Sequence, residues 1–256
     1  MERVNLSSSS SISRIIYGMW RLADDINTSS KHISDKVNLC LGQGITSFDQ
    51  AAVYGLYSAE ALFGEVLKAN PSLRHKIEIV SKCGIVNPSD RYAGVSVSHY
   101  DTSREHIFNS VDASLKNMAT DYLDLLLIHR QDPFLDHHET GKALDDIIKS
   151  GKVKEVGVSN FKSWDFTLLQ SAMKSHLVTN QIEMSLAATD SFTNGDLAFH
   201  QEQATTIMAW SPLGGGKLMK DKGCLLDKSY AADDLQCVAS RRQRRLSYTW
   251  RIEHLE

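Results

Sequence analysis

The sequence predicts an α/β protein of the (β/α)8 barrel class, incomplete at the eighth strand. Three observations carry that expectation. Short apolar runs alternate with helical patterns along most of the chain, as they do where parallel strands are joined by helical crossovers. The run Leu123 to Ile128 is apolar almost throughout, as a strand covered on both faces must be. No GxGxxG follows the first strand, which counts against an open nucleotide-binding sheet.

The elements follow in order. Ser7 to Ser11 is a polar run expected to be an exposed turn. Ile15 to Met19 forms a first short strand, and a helical pattern through His32 to Leu41 leads to the strand Ile45 to Phe48. Ala59, Leu62, Phe63, Val66 and Leu67 fall on one helical stripe before the strand Ile77 to Val80. Thr102 and Glu105 have the spacing of a capping box, and Ile107, Val111, Leu115 and Met118 continue that helix. After the strand Leu123 to Ile128, a helix Thr140 to Lys149 is expected to close on a left-handed Gly151. Strands Val153 to Val158, Val178 to Ile182 and Thr206 to Trp210 then alternate with helices Ser163 to Met173 and Asn194 to Gln203.

Composition narrows the function. A chain of 256 residues with 42% hydrophobic content buries a full core, and four prolines with no long Gly/Ser linker suggest one domain over residues 1–256. A net charge of −3 offers no field for nucleic acid or an anionic membrane, so a small molecule is the expected partner of what reads as a monomer. Cys40, Cys83, Cys224 and Cys237 have neither zinc spacing nor disulfide-scaffold density, which fits a reducing cytoplasm. No run is long enough to span a membrane, and the start lacks the apolar core of a signal peptide. His137 and His138 lack a third ligand and read as a solvated pair, with no metal expected.

Strand ends in a parallel barrel gather at one mouth. Asp49, Tyr54, Lys82 and His129 each follow a strand run, so a carboxylate, a phenol, an ammonium and an imidazole are expected to meet there. Together they can protonate a carbonyl oxygen and stabilise charge on it.

Seven stretches at these strand ends make the resemblance to a family plain: Gly18 to Leu22 (GMWRL), Phe48 to Gly55 (FDQAAVYG), Val80 to Gly84 (VSKCG), Leu127 to Arg130 (LIHR), Gly157 to Phe161 (GVSNF), Asn180 to Glu183 (NQIE) and Ala209 to Gly214 (AWSPLG). Over about residues 12 to 216 the chain resembles the aldo-keto reductases, bacterial members in particular. The resemblance implies reduction of an aldehyde or ketone by hydride from NADPH or NADH, because side chains supply no hydride. It makes Tyr54 the general acid, Lys82 the ammonium that eases its ionisation, Asp49 the partner of Lys82, and His129 a second donor to the carbonyl oxygen. It places Ser159, Asn160 and Gln181 on the nicotinamide carboxamide, Trp210 against its ring, and Ser211, Leu213 and Gly214 along the pyrophosphate. Gly18, Met19 and Trp20 would line the cofactor or substrate side of the mouth. The alternative, by analogy with potassium-channel regulatory subunits of related fold, is a cofactor-binding protein with weak or no catalysis.

From Lys217 to Glu256 the resemblance fades into an atypical tail without the family's adenosine-binding turn, as a frameshift or a truncated gene copy would leave it. Ala231 to Ser240 reads as a helix. Arg241, Arg242, Arg244 and Arg245 read as solvated, and Leu246, Tyr248, Trp250 and Ile252 alternate as a strand would, offering a filler for the eighth slot.

Overall fold

The computed structural model describes residues 1–220 and 235–239. Polar Ser7 to Ser10 turn between two short strands, β1 (Arg3–Asn5) and β2 (Ser11–Ser13), which pair antiparallel. The barrel then begins: β3 (Ile15–Gly18), helix α1 (Ser30–Gly42), β4 (Ser47–Asp49), α2 (Ala59–Ala69) and β5 (Glu78–Cys83). A small antiparallel pair, β6 (Ile85–Val86) and β7 (His99–Tyr100), precedes α3 (Arg104–Asn117), β8 (Leu123–Ile128), α4 (His137–Lys149), β9 (Val153–Ser159) and α5 (Ser163–Ser171). β10 (Leu177–Glu183), α6 (Asp196–Glu202), β11 (Thr206–Trp210), α7 (Lys217–Lys220) and β12 (Leu235–Ala239) complete the series.

Seven parallel strands run β3, β4, β5, β8, β9, β10, β11, and β12 closes the ring between β11 and β3. The closing strand runs antiparallel to both neighbours, pairing Met208 with Val238 and Ile16 with Gln236. The eighth parallel strand of a (β/α)8 barrel is therefore replaced by a reversed segment. This overturns the helix expected over Ala231 to Ser240, at least for residues 235–239. The alternation Leu246 to Ile252 lies outside the described residues.

Strand side chains alternate between the barrel interior and the helical layer, with a period of two. Ile16, Val80, Leu125, Leu127, Val178 and Met208 pack inside, against Val4, Leu6 and Ile12 of the β1–β2 hairpin, which plugs the amino-terminal end. Arg3 holds the plug by an ion pair to Glu78 at 2.7 Å, and the backbone N–H of Ser13 donates to Ser47 Oγ at 2.9 Å. Phe48, Ile79, Leu126, Ile128, Val156 and Val158 face outward to Phe63, Val111, Leu144 and Phe166 of the helices. Each fully buried side chain of this size contributes roughly 1.5–3 kcal/mol.

Helix starts follow their caps. Ser103 Oγ, rather than Thr102, accepts the N–H of His106 at 3.2 Å, and the Ser103 N–H goes to Asp101 Oδ1, so the cap falls one residue later and the expected capping box is not formed. Asp136 Oδ1 accepts from the N–H groups of His138 and Glu139, starting α4 ahead of Thr140. Gly151 has the left-handed φ of +78° foreseen for it. Among the described residues no helix is long and apolar enough to cross a membrane.

Candidate active site

The two-residue period that fills the barrel also builds its mouth. Moving two residues along from Ile16 gives Gly18, from Ser47 Asp49, from Val80 Lys82, from Leu127 His129, from Gly157 Ser159, from Thr179 Gln181 and from Met208 Trp210. Strand pairing holds these ends level: Gly18 opposes Asp49, Lys82 opposes Leu127, and Ser159 opposes Gln181. Gly18, His129, Ser159, Gln181 and Trp210 line a cavity of about 690 Å³, whereas Asp49 and Lys82 lie outside its lining.

Lys82 lies inside β5 rather than just beyond it, and its side chain is fully buried, as is that of Asp49. The ammonium directs its three N–H groups to Asp49 Oδ2 at 2.5 Å, the carbonyl of Gln50 at 2.9 Å and the phenolic oxygen of Tyr54 at 3.0 Å. Burial works against the charge, but Asp49 and Tyr54 outweigh it and hold the pKa of Lys82 above its ordinary value. Because Lys82 donates to the Tyr54 oxygen, the phenol can direct its own hydrogen into the cavity.

Tyr54 enters from the turn after β4, where Gly55, Leu56 and Tyr57 have successive φ angles of +56°, +49° and +73°. A Cβ at residue 55 would meet that of Ala23 at 2.3 Å, so only glycine fits there. Among the described residues, Leu56, Tyr57, Asn160 and Ser211 are four of the six non-glycine residues with positive φ, and all four belong to strand-end loops at this mouth. Such conformations cost about 1–3 kcal/mol each and persist where the surroundings enforce them.

His129 faces Tyr54 edge to face, with ring centroids 5.8 Å apart. Burial, and then the cations Lys82 and Arg130, push its pKa well below the ordinary value, so the ring is neutral at pH 7. A neutral imidazole can donate one hydrogen bond to a carbonyl oxygen without adding charge.

Across the cavity, the Trp210 indole N–H donates to Asn160 Oδ1 at 3.0 Å. Asn160 Nδ2 donates to the carbonyl of His129 at 3.2 Å and to Ser159 Oγ at 2.8 Å, while Ser159 Oγ donates to the carbonyl of Gln181 at 2.9 Å. This network joins the ends of β8, β9, β10 and β11. Asn160 Oδ1 keeps a lone pair, and Gln181 adds a second amide at the cavity wall, so the residues present suit a carboxamide beside an aromatic ring. Beyond Trp210, Gly214, Gly215 and Gly216 have φ of +62°, +63° and +83°, a backbone run that side chains would strain. Arg21 reaches over to the carbonyl of Gly215.

Three expected residues are placed otherwise. Met19 does not line the cavity: the alternation that turns Gly18 inward turns Met19 into the outer core, where its sulfur receives Gln50 Nε2 at 3.0 Å. Leu213 and Gly214 also lie outside the lining, and the Gly214 N–H closes a turn onto Ser211 at 2.9 Å instead of standing open to a phosphate. Gly18, Trp20, Ser159, Asn160, Gln181, Trp210 and Ser211 do line it. Arg130 and Asn87 also reach the cavity without having been foreseen. Arg130 directly follows His129 and was signalled by that position, whereas nothing in the sequence marks Asn87. Among the described residues no cluster suited to a metal occurs, and His137 and His138 stack on each other at 4.1 Å.

Comparison with known proteins identifies a family. A model of the aldo/keto reductase family matches residues 14–250. The chain is 62% identical over 218 residues to a 6-dehydroglucose reductase of Agrobacterium fabrum, covering 85% of this chain and 73% of the relative. It is 36% identical over 252 residues to a protein of the same name from Novosphingobium aromaticivorans, covering 95% and 79%. Among solved structures, the thermostable aldo-keto reductase Tm1743 in complex with the inhibitor epalrestat superposes with a TM-score of 0.70 at 26% identity, covering 84% of this chain and 74% of that one.

Proposed function

The chain belongs to the aldo/keto reductase family, and from that premise we propose that it reduces a small aldehyde or ketone to the alcohol with Tyr54 as general acid and NADPH or NADH as hydride donor. The observation that carries this reading is the threefold donation by Lys82. Its bond to the phenolic oxygen leaves the Tyr54 hydrogen directed at the cavity and stabilises the negative charge that stays behind when that proton leaves. Asp49 fixes the ammonium, and the backbone of Gln50 completes its shell. The neutral ring of His129 gives a second hydrogen bond to the carbonyl oxygen as charge develops on it.

The nicotinamide, when bound, supplies the hydride. Asn160 and Gln181 would hold its carboxamide and Trp210 its ring, with Asn160 tying that side of the cavity to the backbone of His129. The names of the two relatives favour a hydroxylated substrate, a sugar whose sixth carbon carries the carbonyl. A binding role without catalysis gains no support from a site whose proton donor and its charged partner are both in place.

The test is direct. NADPH and NADH are titrated against tryptophan fluorescence, and carbonyl-dependent cofactor oxidation is followed for wild type and Tyr54→Phe. Quenching by at least one cofactor is expected, with kcat falling by orders of magnitude in the variant at nearly unchanged cofactor affinity, because the hydroxyl acts mainly in the transition state. Retained turnover in Tyr54→Phe would remove Tyr54 from the mechanism.

A further inference from the structure

The groups that line the cavity differ in what they already bond. Ser159, Asn160, Gln181 and Trp210 are bonded to one another or to neighbouring backbone. Trp20, Asp24, Asn87 and Arg130 line the same cavity. Here the polar side chains have not been used: among the described residues, the Asp24 carboxylate, the Asn87 amide and the Arg130 guanidinium make no side-chain hydrogen bond or ion pair. Two opposite charges thus line one cavity without pairing. Asn87 is held in place through its backbone, whose N–H donates to the Tyr57 hydroxyl at 2.8 Å. Arg130 is set one residue past His129, whose own N–H bonds to the Cys83 carbonyl at 2.8 Å. Trp20 is 52% exposed, with the Arg21 guanidinium carbon 5.3 Å from the centre of its ring.

We propose that Asp24, Asn87 and Arg130, with Trp20 as a platform, read the hydroxyl groups of a neutral polyhydroxylated aldehyde and so set the substrate preference of the site. The inference rests on the reductase reading above and adds the residues that choose the substrate. An anion would gain from Arg130 but meet Asp24, and a cation would meet the reverse conflict. A hydroxyl resolves it, since it donates to the carboxylate and accepts from the guanidinium, while the amide does both. The apolar face of a sugar ring suits the indole plate. An apolar aldehyde would strip water from three polar groups and return nothing, which is how a site built for hydroxyls rejects an analogue without them.

The experiment compares two aldehydes of one shape: methyl glucoside oxidised to the aldehyde at carbon 6, and cyclohexanecarbaldehyde, a six-membered ring bearing the same group but no hydroxyls. The readout is the ratio of their kcat/KM values. Arg130→Ala is expected to lower that ratio about 10- to 100-fold, through KM for the sugar aldehyde, and Asn87→Ala about 10-fold, since bonds to charged groups are the stronger. Thermal melting shows that each variant is folded. An unchanged ratio, or an equal loss on both aldehydes, overturns the proposal while leaving the reductase intact. Should neither aldehyde be turned over by wild type, the reductase reading fails by itself. Binding of methyl glucoside by calorimetry then decides the rim: weakening in Arg130→Ala supports it, and no binding or no change overturns it.

Discussion

Two buried residues of this site have opposite character. Lys82 is a buried cation kept charged by its neighbours, whereas His129 is a buried imidazole kept neutral by burial and two nearby cations. With its pKa well below 6.5, His129 should stay uncharged throughout the range from pH 6 to pH 8, so kcat/KM should show no inflection near pH 6.5 from this ring. His129→Gln, which retains a donor, should lower kcat/KM without changing the shape of its pH profile there. A limb near pH 6.5 that vanishes in the variant would mean that the imidazole titrates, and its role as a neutral donor would be lost. That Asp49, Tyr54, Lys82 and His129 come close together was legible because each follows an apolar strand run, and parallel strands end together. Met19 was misplaced because a motif shared along the chain does not say which of two neighbouring residues faces inward. Arg130 and Asn87 were missed for another reason: polar residues on strand-end loops look alike until a cavity shows which ones face it.

At the scale of elements, two buried polar contacts tie helices and strands together, and the sequence signalled neither. On α6, His200 is buried against Phe166 and Phe199, and its Nε2 lies 2.9 Å from Asn180 Nδ2 on β10. Asn180 also donates to the carbonyl of Phe161, next to Asn160 of the site. Burial lowers the pKa of His200 to about 4 from 6.5. Above pH 6.5 the ring is neutral folded or unfolded, and it adds no pH dependence. As pH falls from 6.5 to 4, only the unfolded chain takes the proton, so stability should drop by about 3 kcal/mol. Melting curves at pH 7 and pH 4.5 check this, since His200→Leu should lose less between the two than wild type does. At the plug end of the barrel, Arg74 forms a buried ion pair with Asp124 at 2.8 Å and donates to Thr120 and to the carbonyls of Ile77 and Tyr122. Arg74→Leu should cost about 1.5–3 kcal/mol by removing one charged partner of Asp124, which keeps Lys154 at 2.8 Å and the N–H of Ile79 at 2.9 Å, measured by urea denaturation, with kcat per folded molecule retained. Strand positions were readable because apolar runs of strand length recur. Residues 235–239 were misassigned because five residues cannot distinguish a strand from one turn of helix without a neighbour to pair with.

For the whole molecule, closure is the decisive property. A barrel without its last strand exposes the unpaired edges of β11 and β3. Ending the chain at residue 220 should therefore lower the melting temperature and cause concentration-dependent light scattering, with far-UV circular dichroism still showing the helices. An unchanged melting curve would mean that β12 contributes nothing to the closed state. The reversed direction of β12 has an effect on what an engineer can do with the carboxyl terminus. Leu235 pairs with Tyr17, near the mouth, and Ala239 with Ile207, toward the plugged end. In a parallel eighth unit the chain would emerge at the mouth and could bring cofactor contacts with it; here it emerges from the strand at the opposite pole. Appending a cofactor-gripping segment after Ala239 would deliver it to the wrong side of the barrel, so a graft must begin before β12 and turn the strand around.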